Sequence, residues 1–282
     1  MRVLQTEVPH RSRSDLFRLV FIADIHLGSR YCDERLLRAT VQSIAEDEDA
    51  LWLGLGDYCE WINRKDIRFQ ESEIADWLWG IDDIAGEQRR RIIEILNPIA
   101  NKCVGLVEGN HEADIRIHAD RDVYRMLVES LMDERQKAGI KASLALGING
   151  FVKLVFRRYK PSGVWDTWMC IVYATHGSVG GRRTGAKALR LEDLHRSHIA
   201  DIIVMGHSHV PLVLPSVVRQ EAGKKEQAIV RETHLISASS FLGTAELGWP
   251  EYAERKDYSP SLARPPVEAI IRPDKQEITI KV

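Results

Sequence analysis

Apolar runs of strand length recur along the chain, separated by stretches in which apolar residues return every three or four positions. FRLVFIAD (17–24), ALWLGLGD (50–57) and KCVGLVEGNHE (102–112) read as buried strands. DERLLRATVQSIAE (33–46) has helical period, with Asp33 placed to cap its first turn. Residues 71–97 read as helical around Gly86, closed by Pro98, and another helix follows near 121–137. The pattern then changes. KASLALG, FVKLVFRRY and WMCIVYATHG are successive strands with hairpin-like gaps, followed by a helix near 185–198 and the strand DIIVMGHSH. QAIVRETHLISAS, PVEAIIR and QEITIKV make the tail strand-rich, and the stretch 247–266 between them reads as a loop able to act as a flap. This order predicts an α/β protein, a layered αββα sandwich of two mixed sheets flanked by helices.

With 282 residues, 44% hydrophobic and 28% charged, the chain can bury a large core as one domain with insertions. A net charge of −2 argues against a bulk electrostatic binder of nucleic acid, although HRSRSDLFR, EQRRR and GGRRTGAKALR are local basic runs. Cys32, Cys59, Cys103 and Cys170 are widely spaced and form no CxxC pair, as expected for reduced thiols of a cytoplasmic protein. No apolar leader region opens the chain and no stretch reaches membrane-spanning length, so a soluble protein without membrane association is expected.

The chemistry lies where the strands end. LVFIA is followed by Asp24 and His26, LWLGLG by Asp57, and GLVEG by Asn110, His111 and Glu112; CIVYAT is followed by His176, and IIVMG by His207 and His209. Ligands of open α/β sheets bind outside the carboxyl ends of the strands, so residues far apart in sequence can converge there. The set mixes imidazole, carboxylate and amide oxygen without thiolate, which suits Mn²⁺, Fe, Zn²⁺ or Ni²⁺ better than Ca²⁺ or a structural zinc knot. Seven donors are too many for one tetrahedral ion, and two ions sharing one carboxylate use them all. Opposed by Asp24 and Asp57 alone, two divalent ions leave a charge of about +2, which attracts an anion such as phosphate.

In order, the blocks DIH, GD, GNHE, THG and GHSH, spanning residues 24–209, resemble those of the calcineurin-like metallophosphoesterase superfamily. The resemblance implies one metal held by Asp24, His26, Asp57 and His209, and a second held by Asp57, Asn110, His176 and His207, with Asp57 bridging. His111 is then the non-ligand histidine that contacts substrate, donating to the leaving oxygen or stabilising its charge. The expected activity is hydrolysis of a phosphoric monoester or diester by a hydroxide bridging the ions, with Mn²⁺ as the first choice of metal. A nuclease of the same fold and a non-catalytic scaffold are the alternatives, and nucleic acid enters as a substrate only under the first of these. Glu112 either orients His111 or is structural. HEADI is not a zinc-protease helix, because H-E-x-x-H needs a second histidine where Ile115 stands.

The resemblance also implies one metallophosphoesterase domain over 1–282, with a helical insertion around 60–100 and a strand-rich C-terminal extension around 225–282. Arg182, Arg183 and Lys187, in the basic run directly after His176, are candidates for substrate contact. His10, His118, His195, His198 and His234 lie outside the blocks and are expected to be surface or core residues, and Trp52, Trp61, Trp77 and Trp79 to serve packing.

Overall fold

Apolar runs without alternation become strands here because both of their faces are covered. The computed structural model describes residues 1–62, 64, 69–178, 184–221, 228–243 and 262–282. In chain order the elements are β1 (Arg2–Pro9), β2 (Phe17–Ile22), α1 (Glu34–Glu46), β3 (Ala50–Gly54), α2 (Ile84–Leu96), β4 (Cys103–Val107), α3 (Asn110–Ala119), α4 (Val123–Lys137), β5 (Ala145–Gly147), β6 (Asn149–Tyr159), β7 (Trp165–Thr175), α5 (Thr184–Ser197), β8 (Ile202–Met205), β9 (Leu212–Glu221), β10 (Ala228–Ser237), β11 (Glu268–Arg272) and β12 (Glu277–Lys281).

Two mixed sheets result. One has the order β12-β11-β2-β3-β4-β5, parallel from β2 to β5; the other runs β1-β6-β7-β8-β10-β9, with β7, β8 and β10 parallel. Strand β2 shows why the layers stack. Leu19 and Phe21 point to the inter-sheet core with Val152, Leu154, Val172 and Val204, while Val20 and Ile22 point to the core shared with α1, α2 and α4. A third apolar cluster sets Leu191 and Leu194 of α5 against Tyr173, Ile203 and Leu235 on the outer face of the second sheet. The layers are therefore helix, sheet, sheet, helix, the α/β sandwich that the strand order implies. Among the described residues, no helix is long and apolar enough to cross a membrane.

Local signals explain several boundaries. Asp33 caps α1 by accepting from Leu36 N at 2.8 Å, and Asp83 caps α2 by accepting from Gly86 N at 3.0 Å. The expected helix over 71–97 is shorter than its pattern. Gly80 takes a φ of +73° that no right-handed helix permits, leaving only a 3₁₀ turn over Asp76–Leu78 before α2 begins. Trp77 and Trp79 therefore lie outside that helix, Trp77 under the Arg91 guanidinium at 4.5 Å and Trp79 exposed. The strand-rich tail completes the sheets. β10 pairs with β8, and β11 with β2. All four cysteines are unpaired, and Cys59, Cys103 and Cys170 are buried. Most of the 247–266 loop lies outside the described residues.

Candidate metal centre

Five strand ends meet at one place. Asp24 and His26 follow β2, Asp57 follows β3, Asn110 and His111 open α3 just after β4, His176 directly follows β7, and His207 and His209 follow β8. Backbone bonds tie the first two turns together, Asp24 N donating to Gly56 O at 3.2 Å and His26 N to Asp57 O at 3.0 Å. Gly56 sits at φ +94°, and a Cβ there would lie 2.6 Å from the Gly109 backbone, so the turns after β3 and β4 come too close at this point for a side chain.

The side chains fall into groups whose donor atoms lie within 4.8 Å of one another: Asp24, His26 and His209; Asp57, His176 and His207; and His26, Glu60 and His111. One carboxylate oxygen, Asp57 Oδ2, faces the first two groups together, 3.7 Å from His26 Nε2 and 3.1 Å from His176 Nε2. The other, Oδ1, accepts from His111 N at 3.0 Å. Asp24 accepts from His207 N through both oxygens, at 3.0 and 2.9 Å, and its Oδ1 lies 3.5 Å from His209 Nε2. Asn110 Oδ1 lies 2.9 Å from His176 Nε2.

Two of the candidate ligand histidines, His176 and His26, are held by their other nitrogen. His176 Nδ1 lies 2.7 Å from Leu55 O, and a carbonyl accepts only, so Nδ1 carries the proton. In the neutral ring Nε2 is then a lone pair, facing the Asn110 oxygen, the Asp57 oxygen and His207 Nδ1 at 2.9, 3.1 and 3.2 Å. Four electron-pair donors at such distances repel unless a cation or proton lies among them. His26 repeats the arrangement, with Nδ1 2.9 Å from Glu60 Oε2 and a buried Nε2 that has no hydrogen-bond partner. These donors fit divalent metal ions.

The electrostatics of the ion-free centre agree. Burial alone would raise the Asp57 carboxyl, but His111 and His176 hold it well below the ordinary range. Burial likewise opposes charge on His176 and His111. Asp57 outweighs it at both, helped at His111 by Glu60, and lifts them to about 10 and about 9. His207 is lowered by burial and by His176. His111 Nδ1 lies 2.6 Å from the Glu60 carbonyl oxygen, its ring stands edge-on to His26 at 4.7 Å, and its side chain is partly exposed.

A family model for calcineurin-like phosphoesterases matches residues 17–211, the span that carries every one of these candidate ligands. The chain belongs to that family. Among solved structures, this calcineurin-like phosphoesterase is similar to a metallophosphoesterase from Sphaerobacter thermophilus, with 16% identity and a TM-score of 0.37 over 94% of this chain and 87% of that one. It is also similar to Vacuolar Protein Sorting 29 from Cryptosporidium parvum, with 11% identity and a TM-score of 0.36 over 94% and 97% of the two chains. No curated protein matches the chain.

Two residues at the centre carry no signal of their own in the sequence. Glu60 joins the His26 ring through its carboxylate and the His111 ring through its carbonyl. Trp61 donates Nε1 to Glu112 Oε1 at 2.8 Å. Glu112 is a buttress, also accepting from Asp57 N, Tyr58 N and Gly109 N. Arg182 and Arg183 lie outside the described residues. Lys187 is buried, and its Nζ donates to Ser208 O at 2.9 Å. Of the five histidines outside the motif blocks, none joins a candidate ligand group among the described residues, and His198 stacks on Tyr173 at 3.9 Å.

Proposed function

We propose that this calcineurin-like phosphoesterase hydrolyses phosphoric esters with two divalent ions, one held by Asp24, His26, Asp57 and His209 and the other by Asp57, Asn110, His176 and His207. The observation that carries this reading is Asp57 Oδ2, a single oxygen turned toward a histidine of each group. Bound there, two such ions supply charge neutralisation on a phosphoryl group and a water of lowered pKa. The chain's own residues do the rest. Asp57 bridges, Glu60 and Leu55 O fix the His26 and His176 rings so that each presents Nε2, and the donor set favours Mn²⁺, with Fe, Zn²⁺ and Ni²⁺ as further members of its class.

His111 is the acid of this reading. Its Nδ1 is engaged by the Glu60 carbonyl, which turns Nε2 away from the backbone and leaves it to protonate the leaving oxygen. The test is a screen of metal-reconstituted protein against p-nitrophenyl phosphate, bis-p-nitrophenyl phosphate, cyclic nucleotides and single- and double-stranded DNA, with metal analysis of the wild type and Asp57→Asn. Turnover of small esters, lost together with bound metal in Asp57→Asn, is the expected result. Turnover confined to DNA would assign a nuclease. Two bound ions without turnover of any substrate, or full activity in Asp57→Asn, would overturn the proposal.

A further inference from the structure

A buried lysine stands behind the turn that carries two of the ligands. Leu191 and Leu194, on the buried face of α5, lie four and seven residues beyond Lys187, so the helix's apolar stripe ends in an ammonium. Lys187 is only 9% exposed, and Nζ donates to Ser208 O at 2.9 Å. An apolar side chain would fill this place without the cost of desolvating a charge. What the charge reaches is the peptide between His207 and His209, whose residues have φ of +64° and +55°. Other contacts fasten the rest of the turn. His207 N is held by Asp24, and the Ser208 hydroxyl by Ser237 and the Val210 carbonyl. Lys187 holds the Ser208 carbonyl.

We propose that Lys187 is a positioning residue for both halves of the centre. Through the Ser208 carbonyl it fixes the direction of the peptide between His207 and His209, and with it the orientation in which one imidazole enters each ligand group. The inference rests on the two-ion reading above. It also differs in consequence from a substrate contact by Lys187, which would raise KM and leave ion binding unchanged.

The test uses full-length protein stripped with chelator, its Mn²⁺ affinity measured by calorimetry and the visible spectrum of its Co²⁺-loaded form. Lys187→Met should weaken ion binding about 10- to 100-fold and shift the Co²⁺ bands, and Lys187→Arg, which keeps a charged donor, should recover most of both. Lys102→Met is the structural control. Its Nζ donates to the Ile44, Ala45 and Asp47 carbonyls at the C-terminal end of α1, before β3 and away from the candidate ligands that follow the strands, so its loss should lower Tm while leaving affinity and spectrum unchanged. Should Lys187→Met not fold, Lys187→Gln, with a neutral donor on a shorter stem, carries the same expectation. Wild-type affinity and spectrum in the Lys187 variants, including the case in which only KM rises, would overturn the assignment. A wild type that takes up no ion sinks the two-ion reading itself and this inference with it.

Discussion

Glu112→Gln should loosen the centre by removing half of a buried hydrogen-bond junction. Glu112 Oε2 accepts from Asp57 N and Gly109 N, both at 2.9 Å, and Oε1 accepts from Tyr58 N and Trp61 Nε1, both at 2.8 Å. A carboxamide keeps one of these oxygens and sets an NH₂ against two N–H donors, whichever way it is turned. Hydrogen bonds to a charged group contribute about 1.5–3 kcal/mol each, so losing two removes roughly 3–6 kcal/mol. Part is regained, because burial and the nearby Asp57 push the Glu112 carboxyl up and a neutral group escapes both. The net loss should be about 2–4 kcal/mol. It falls at the turn that holds Asp57 at φ +53°, so metal content should fall with stability. Urea unfolding of the chelator-treated variant and metal analysis of the reconstituted one check this. Stability within about 0.5 kcal/mol of wild type, together with full metal content, would refute the buttress.

His111→Gln should keep both ions and lower kcat by about 10²–10⁴, most for esters with basic leaving oxygens. Equal losses for p-nitrophenyl and alkyl esters would instead assign charge stabilisation to His111. The ion-free protein should lose stability as pH rises above about 6.5. His111 and His176 are raised to about 9 and about 10, so their contribution is full below the unfolded value and disappears as pH climbs through the folded ones. Between pH ~6.5 and ~8.5 the slope should be about 1.4 kcal/mol per pH unit for one group and up to twice that for both. Urea midpoints measured with chelator present would show it, and a flat profile would refute it. Because His176 must be neutral to ligate, adding Mn²⁺ at pH 8 should release protons, seen as a buffer-dependent heat of binding.

The sequence made the candidate centre legible because each candidate ligand follows an apolar run, and the carboxyl end of a parallel strand is a place the fold fixes in space. Elements whose existence depends on tertiary partners were not legible. β1 alternates weakly and is an edge strand defined by its parallel pairing with β6. β9 becomes visible only as the antiparallel partner of β10. α3 begins on Asn110 itself and buries only Glu112 and Ile115, so it has almost no apolar stripe to read. Glu60 was hidden for another reason. It lies in no metal motif, and its importance comes from two contacts, to His26 and His111, that only the folded chain makes.

Eight non-glycine residues among those described have positive φ, and five of them are candidate metal ligands: Asp24, His26, Asp57, His207 and His209. All five lie in the turns that directly follow β2, β3 and β8, where the chain leaves the sheet. For an L-residue the left-handed region costs roughly 1–2 kcal/mol, so the centre holds strain that the fold must offset elsewhere. Bonds to the Asp24 carbonyl from Ser240 Oγ and Phe241 N, at 3.0 and 3.1 Å, are part of that offset. His209 makes the strain measurable because its side chain is the most exposed of the histidines paired with the Asp carboxylates, at 27%. His209→Gly and His209→Ala both remove the imidazole and the Asp24 contact, so their difference isolates the backbone. At an ordinary position Gly is the less stable of the two by roughly 0.5–1 kcal/mol. At φ +55° the order should invert, with Gly more stable than Ala by about 1 kcal/mol in chelator-treated protein. Both variants should bind metal poorly. Equal stability, or Ala above Gly, would mean that the turn relaxes without its imidazole and that the left-handed conformation is not imposed by the fold.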